Sequence, residues 1–332
     1  MPKITDAAYG DLSAYTPNFT LIGHDPTEGN AADQTKRLTL ENLLTFLAPT
    51  PGGRLTLTSS TPVTTSDVIG ATSVYYTPFV NNLIALWDGA SWTLNQFTEK
   101  TLALGTVTSG LPYDVFGYLS AGVLALEKLA WTNGTTRATD ITLQDNRYCK
   151  SGDKTRLYLG TLYTTSTTTT EDSGGGTTTQ VGGKRFLWNM YNRVRRTLSV
   201  IDTTATWSYT TDTTRQTNGA AGNKVEFILG LSQDPIEASV RTSVKLASNT
   251  TRGAKSGVGL DTITAFNGIA SQVFNTNASD IYFQVGGELR STPALGYHYI
   301  SWNERGASIG TCVFDGANAA GIQTGLVASI LG

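Results

Sequence analysis

Lys184-Arg185-Phe186-Leu187-Trp188-Asn189-Met190-Tyr191-Asn192-Arg193-Val194 is the densest run of aromatic and basic side chains in a chain otherwise thin in both. At the two-residue period of a strand, Phe186, Trp188, Met190 and Asn192 point one way. Arg185, Leu187, Asn189, Tyr191 and Arg193 point the other way. Large side chains on both faces predict a strand covered twice, by its own core and by another layer or another copy of the chain. The stretch follows a threonine and glycine tract and precedes a second basic pair, Arg195-Arg196. It reads as the hinge between what precedes it and a C-terminal β domain. Arg185, Phe186, Trp188, Tyr191 and Arg193 are the candidate subunit-interface residues.

Working outward, the composition points the same way. Threonine fills 54 of 332 positions and glycine 35. Threonine is β-branched and suits a pleated, half-exposed surface, while glycine supplies turns with positive φ. Together they predict an all-β protein with many tight connections. The formal net charge is −2 and only 15% of residues are charged. Neither nucleic acid nor membrane insertion is therefore expected as a partner. No stretch reaches the length of an apolar membrane span, and Met1–Gly10 has no signal-peptide character. The expectation is a protein made and soluble in a cytoplasm, so the four Asn-x-Ser/Thr sites read as accidents of threonine abundance. Cys149 and Cys312 are expected to be two buried thiols.

Residues 1–50 read as an arm. Thr20–Gly23 predicts a brief strand, and Lys36–Leu47 predicts the one helix, with Thr39 as N-cap. Leu40, Leu43, Leu44 and Leu47 share a face of it; with Leu38 they are the candidate anchoring residues. A helix this short needs burial elsewhere to be stable. Residues 51–183 predict a middle β domain, with strands such as Ser73–Phe79, Leu83–Trp87, Tyr113–Leu119 and Val123–Trp131. Asp88-Gly89-Ala90, Ser120-Ala121-Gly122 and Asn133-Gly134 are its predicted hairpin turns. Thr164–Gly183 reads as a low-complexity loop or hairpin tip. Residues 184–332 predict a C-terminal sandwich, with strands including Ile236–Leu246, Thr262–Phe266 and Leu295–Trp302. Its apolar last strand, Gly325–Leu331, suits a jelly-roll-like arrangement.

Catalytic and metal-binding material is scarce. With two histidines, a histidine metal site or a serine–histidine couple has little to draw on. His298 reads as a packed or interface residue and His24 as solvated. Gly174–Lys184 superficially matches a phosphate-binding loop but lacks the Gly-Lys-Ser/Thr ending. Asp261, Asp280, Glu288, Glu304 and Asp315 are the acids from which a glycosidase pair could be drawn, and nothing in the sequence selects among them. Trp207, Tyr209 and Trp302 are candidate surface-binding residues that could stack on sugar rings, or serve as core. No cofactor and no metal is expected, and no enzyme activity.

Several segments carry a family resemblance. Thr35–Leu44 (TKRLTLENLL) before a proline–glycine break is similar to the anchoring region of phage tail and fibre proteins. Gly53–Thr58, Val74–Phe79, Leu111–Phe116, Leu129–Thr132, Tyr158–Thr161 and Lys184–Asn189 resemble segments of phage structural proteins. The chain thus resembles bacteriophage virion proteins of the fibre, spike and decoration type over most of residues 35–230. The resemblance implies a homotrimer, its N-terminus held by a capsid or tail protein of the virion. Its C-terminal β domain would face a host cell-surface glycan or protein. Tail fibre and head fibre both fit. A capsid decoration or cement protein, and a polysaccharide-degrading tailspike, are the alternatives.

Overall fold

The computed structural model describes residues 20–24, 35–39, 50–176, 180–247, 253–277, 279–317 and 323–332. Among them every regular element is a strand except one 3-10 turn, Thr217–Gly219. The all-β sandwich architecture expected from the composition is therefore the one found.

In the arm, β1 (Thr20–His24) pairs antiparallel with β2 (Thr35–Thr39). The brief strand at Thr20–Gly23 is present. The helix expected from Lys36 is not helical at its start: Lys36, Arg37, Leu38 and Thr39 lie in β2, opposite Gly23, Ile22, Leu21 and Thr20. The β-branched Thr35 and Thr39 at its two ends favour a strand over a helix. Leu40, Leu43, Leu44 and Leu47 lie outside the described residues.

The middle region begins with β3 (Gly53–Thr56), β4 (Val68–Ala71), β5 (Ser73–Pro78), β6 (Leu83–Trp87), β7 (Trp92–Gln96) and β8 (Lys100–Ala103). Strands β3, β5 and β8 form one antiparallel sheet and β6–β7 a hairpin. The hairpin turn is fixed by Asp88, whose Oδ1 accepts from the backbone N–H of Ala90 and Ser91, each at 2.7 Å. There follow β9 (Pro112–Ser120), β10 (Val123–Asn133), β11 (Thr136–Arg137), β12 (Ile141–Gln144), β13 (Arg147–Lys150) and β14 (Asp153–Tyr163). They make an antiparallel sheet in the order β11-β10-β9-β14-β13-β12. Leu55, Val74, Ile84, Leu86, Val115 and Leu157, none more than 1% exposed, anchor the core between these sheets. Cys149 is buried in it.

The chain then crosses and recrosses. Strands β15 (Thr170–Gly175) and β16 (Gly182–Arg185) belong to the C-terminal sandwich. Strand β17 (Leu187–Asn189) returns to pair with β14, so sheet membership does not divide at residue 183. The loop expected over the threonine and glycine tract is, from Thr170 to Gly175, a strand whose first four residues are buried. A tract without apolar side chains can be buried when its polar groups find partners. Here Thr170 Oγ1 donates to Tyr163 O at 2.7 Å and Ser173 Oγ to Glu171 at 2.8 Å.

The sandwich continues with β18 (Arg195–Ile201), β19 (Thr206–Tyr209), β20 (Thr214–Gln216), β21 (Lys224–Leu229), β22 (Ile236–Leu246) and β23 (Ala254–Leu260). It ends with β24 (Ile269–Val273), β25 (Ile281–Ser291), β26 (Gly296–Arg305), β27 (Cys312–Asp315) and β28 (Gly325–Leu331). One sheet runs β18-β28-β22-β25 and the other β21-β26-β23-β24, with β24 also touching β25. This interleaving, with the last strand inserted beside the first, is the strand order of a jelly roll. Phe227, Val258, Ile300 and Trp302 from one sheet meet Val240, Val285 and Leu326 from the other. Cys312 is the second buried free thiol, and burial lifts both thiols to a pKa of about 11. The strand expected at Thr262–Phe266 is instead the bend between β23 and β24. Both of those strands lean on Gly, Ser and Ala, whose weak apolar signal hides them in the sequence.

Candidate interaction surfaces

The opening stretch is the seam between two cores of one chain. Trp188 lies in the sandwich core with Met190 packed on it, whereas Leu187 and Tyr191 belong to the middle core. The second layer predicted over this strand is thus supplied by the chain itself. Arg185, Phe186 and Trp188 are no more than 8% exposed within the single chain, so their burial needs no second copy. Arg185 donates to Asp172, and Arg193 pairs with Asp234, which also accepts from Trp188 Nε1 at 3.1 Å.

This seam fixes which end of the sandwich is free. Arg137 donates to Gly230 O at 2.7 Å while its Nε holds Asp114 at 2.6 Å. Tyr297 N donates to Gly134 O at 2.9 Å. Arg54 donates to Asn192 O at 2.7 Å and to Gly332 O at 2.5 Å. All of these reach the end carrying residues 230–235, the start of β26 and the finish of β28. Burial pushes the Asp114 carboxyl above its ordinary range, against the pull of Arg137. At the opposite end lie residues 202–223, 274–277, 279–280, 306–317 and 323–324.

That far end is held from beneath by two fully buried carboxylates. Asp202 accepts from Gln180 Nε2 at 2.8 Å, Asn223 Nδ2 at 2.7 Å and Asn218 Nδ2 at 3.1 Å. Glu304 accepts from Trp207 Nε1 at 2.7 Å, Arg215 Nε at 2.8 Å and the Asn218 N–H at 3.1 Å. Asn218, at φ 56°, joins the two. Burial raises the Glu304 pKa even with Trp207 and Arg215 opposing it. Above this base Phe274 and Ile309 are 56% and 52% exposed. The sequence reading passed over Asp202 and Asn218; the Thr-Asn-Gly turn at 217–219 was the one local signal for them.

The surface-binding candidates need correction. Trp302 is fully buried and donates to Thr242 and Ser256, and Trp207 is 8% exposed and stacked on Phe314. Alternation placed both on the inner face, where the sandwich needs its largest side chains. Only Tyr209 of the three is part-exposed, with the Arg215 guanidinium 3.8 Å from its ring centre. The candidate acids have separate partners: Asp315 accepts from Ser243 at 2.7 Å, and Asp280 pairs with Lys245 at 3.4 Å. Among the described residues no cluster of three His, Cys, Asp or Glu side chains could hold a metal, and no helix is long and apolar enough to cross a membrane.

His298 is packed, as expected. Its Nδ1 lies 2.7 Å from Asp261 and its Nε2 2.8 Å from Ala294 O. Burial opposes the charged ring, but Asp261 and the carbonyl together hold its pKa above the usual 6.5. A histidine bound more tightly to its proton in the folded state stabilises fully below its unfolded pKa and loses that contribution as pH rises through the folded value. Stability is therefore expected to fall as pH rises above about 6.5 and through the raised folded-state value. Asp261→Asn should abolish that decline in urea unfolding; an equal decline in the variant would assign it to another group.

No family model and no curated protein matches the chain. Among solved structures it is similar to the insecticidal delta-endotoxin Cry8Ea1 from Bacillus thuringiensis, at 8% identity over 85% of this chain and 52% of that one, with TM-score 0.19. The insecticidal crystal protein Cry7Ca1 from the same organism gives 12% identity, 88% and 55% coverage, and TM-score 0.15. An exo-beta-1,3-galactanase from Phanerochaete chrysosporium, with galactose, gives 9% identity, 78% coverage of each chain and TM-score 0.12. The chain spans about half the length of these two insecticidal proteins. Likenesses at these scores bear on neither fold nor function.

Proposed function

We propose that this chain is a structural protein of a bacteriophage virion, a short homotrimeric fibre or spike. Its first 50 residues attach it to a capsid or tail protein, and its jelly roll meets the host surface. The reading joins the sequence resemblance to one structural observation, the polarity of the chain. The middle domain is bonded to one end of the jelly roll through Gly230, Tyr297 and Gly332, and along its edge through β4, which pairs with β15. The loops at the other end, braced on Asp202 and Glu304, are directed away from that junction. A rigid scaffold carrying braced loops at its free end is the arrangement recognition proteins use. Binding by three copies on each fibre, and many fibres on each particle, would strengthen adhesion by avidity.

The test uses particles released by cells that carry this gene. Mass spectrometry is expected to find the chain in purified particles, and Fab fragments against residues 202–223 and 306–317 should block adsorption. Absence of the chain from particles overturns the reading. Unchanged adsorption with fragile particles on deletion would replace it by a cement role, and new reducing ends from host capsule by a depolymerase.

A further inference from the structure

The sheet β18-β28-β22-β25 has a second face. Val200, Leu326, Val240 and Val285 point inward and are no more than 2% exposed, so the alternate residues point outward. Register aligns these outward residues into rows. One row crosses five strands as Ser199, Val327, Ser239, Glu288 and Ile269. The next runs Ile201, Gly325, Arg241 and Gly286.

Three properties set this face apart from a solvated sheet surface. First, it is open and shallow, with three adjoining hollows of about 290, 250 and 320 Å³ that all include Ser239. Small residues along the rows let another surface approach the backbone closely. Second, large apolar side chains stand in the open at the two sides of the first row: Ile269 is 76% exposed and Val327 53%. Third, only some of its charges are paired. Glu237 pairs with Arg195 at 3.0 Å and Arg290 at 3.9 Å. Arg241, between two glycines, and Glu288, on the next strand, make no salt bridge among the described residues.

We propose that this face is where copies of the chain meet, with Arg241 of one copy against Glu288 of the next. The charge pattern selects the occupant. A partner of one net sign would match Arg241 or Glu288 and be repelled by the other, whereas a second copy offers both. The broad, shallow relief fits a flat surface of similar breadth and has no cleft to enclose a small molecule. Around a three-fold axis the contact is head-to-tail and closes after three copies. Only the number three rests on the proposed fibre reading.

Light scattering of the full chain tests this with Arg241→Glu, Glu288→Arg and the double swap. These side chains are solvent-facing, so thermal unfolding of each variant monitored by circular dichroism should show a folded protein. The wild type is expected to be a trimer, and each single swap to weaken association about tenfold or more. The double swap should restore it. A trimeric wild type with unaffected single swaps would overturn the assignment of this face while leaving the fibre reading intact. A wild type that stays monomeric overturns both this surface and the trimer.

Discussion

Trp188→Ala is expected to destabilise the protein by about 3–5 kcal/mol, the range for deleting a large buried aromatic side chain. The effect should be large because one side chain serves both halves. The Trp188 ring is fully buried, stacks on Tyr158 of β14 with centroids 6.3 Å apart, and donates to Asp234. Arg193 lies over its face at 5.1 Å and shares Asp234. Gly230 shows how closely the halves approach: a β-carbon built there would collide with Tyr158 Oη and the Trp188 ring. No larger residue fits, so the sandwich backbone lies directly on the indole. Removing the ring leaves a cavity at the seam and unpairs the buried Asp234 from one donor. Trp188→Phe should cost less, because it keeps most of the volume and loses the hydrogen bond. Urea unfolding followed by circular dichroism measures both. Beyond the shift, Trp188→Ala should broaden or split the transition, as the middle region and the jelly roll cease to unfold together. A cost below about 1 kcal/mol with an unchanged single transition would show that Trp188 is not the coupling residue.

How far the sequence could lead depends on the range of the interactions involved. Ile236–Leu246 and Gly325–Leu331 are strands by their own alternation, and the structure keeps both at those bounds. What alternation cannot give is the neighbour. That β28 inserts between β18 and β22 is set by pairing across more than 80 residues on one side and more than 120 on the other. The outer face carrying Arg241 and Glu288 exists only once that order is known. The same limit explains Trp207 and Trp302. The sequence shows large aromatic residues in strands, but not which side is covered. The Lys184–Val194 stretch was informative because both of its faces are apolar or paired, a local sign of double coverage. Whether the second layer was the same chain or another copy lay beyond it. Glycine- and serine-rich strands such as Ala254–Leu260 gave no sign, because their burial comes from close sheet packing and not from side-chain bulk.

Asp172 is the residue whose loss the low-complexity reading would never have flagged, and Asp172→Asn is expected to cost about 3–5 kcal/mol. Its two oxygens hold Arg185 at 2.9 Å and Arg196 at 2.8 Å, and Thr64 donates to it at 3.0 Å. Arg54 is also buried nearby, and burial together with the charge of Arg196 draws its pKa down to about 10. Three guanidinium groups thus share a buried region around one carboxylate. Amidation removes the only negative charge in that group and leaves its cations facing one another in a poorly solvated site. Screening reaches such a cluster weakly, so added salt should not rescue the variant. Arg185 and Arg196 also donate to the carbonyls of Thr197 and Thr64, which fixes their positions and prevents them from turning toward water. A cycle with Arg196→Met separates charge from packing. Removing that cation as well should make the double variant less damaged than the sum of the two single changes, by about 0.5–3 kcal/mol. Strict additivity in denaturant unfolding would mean that Asp172 and Arg196 are not energetically coupled. A sub-additive double variant would establish the carboxylate as the counter-charge that lets an arginine-rich seam fold at all.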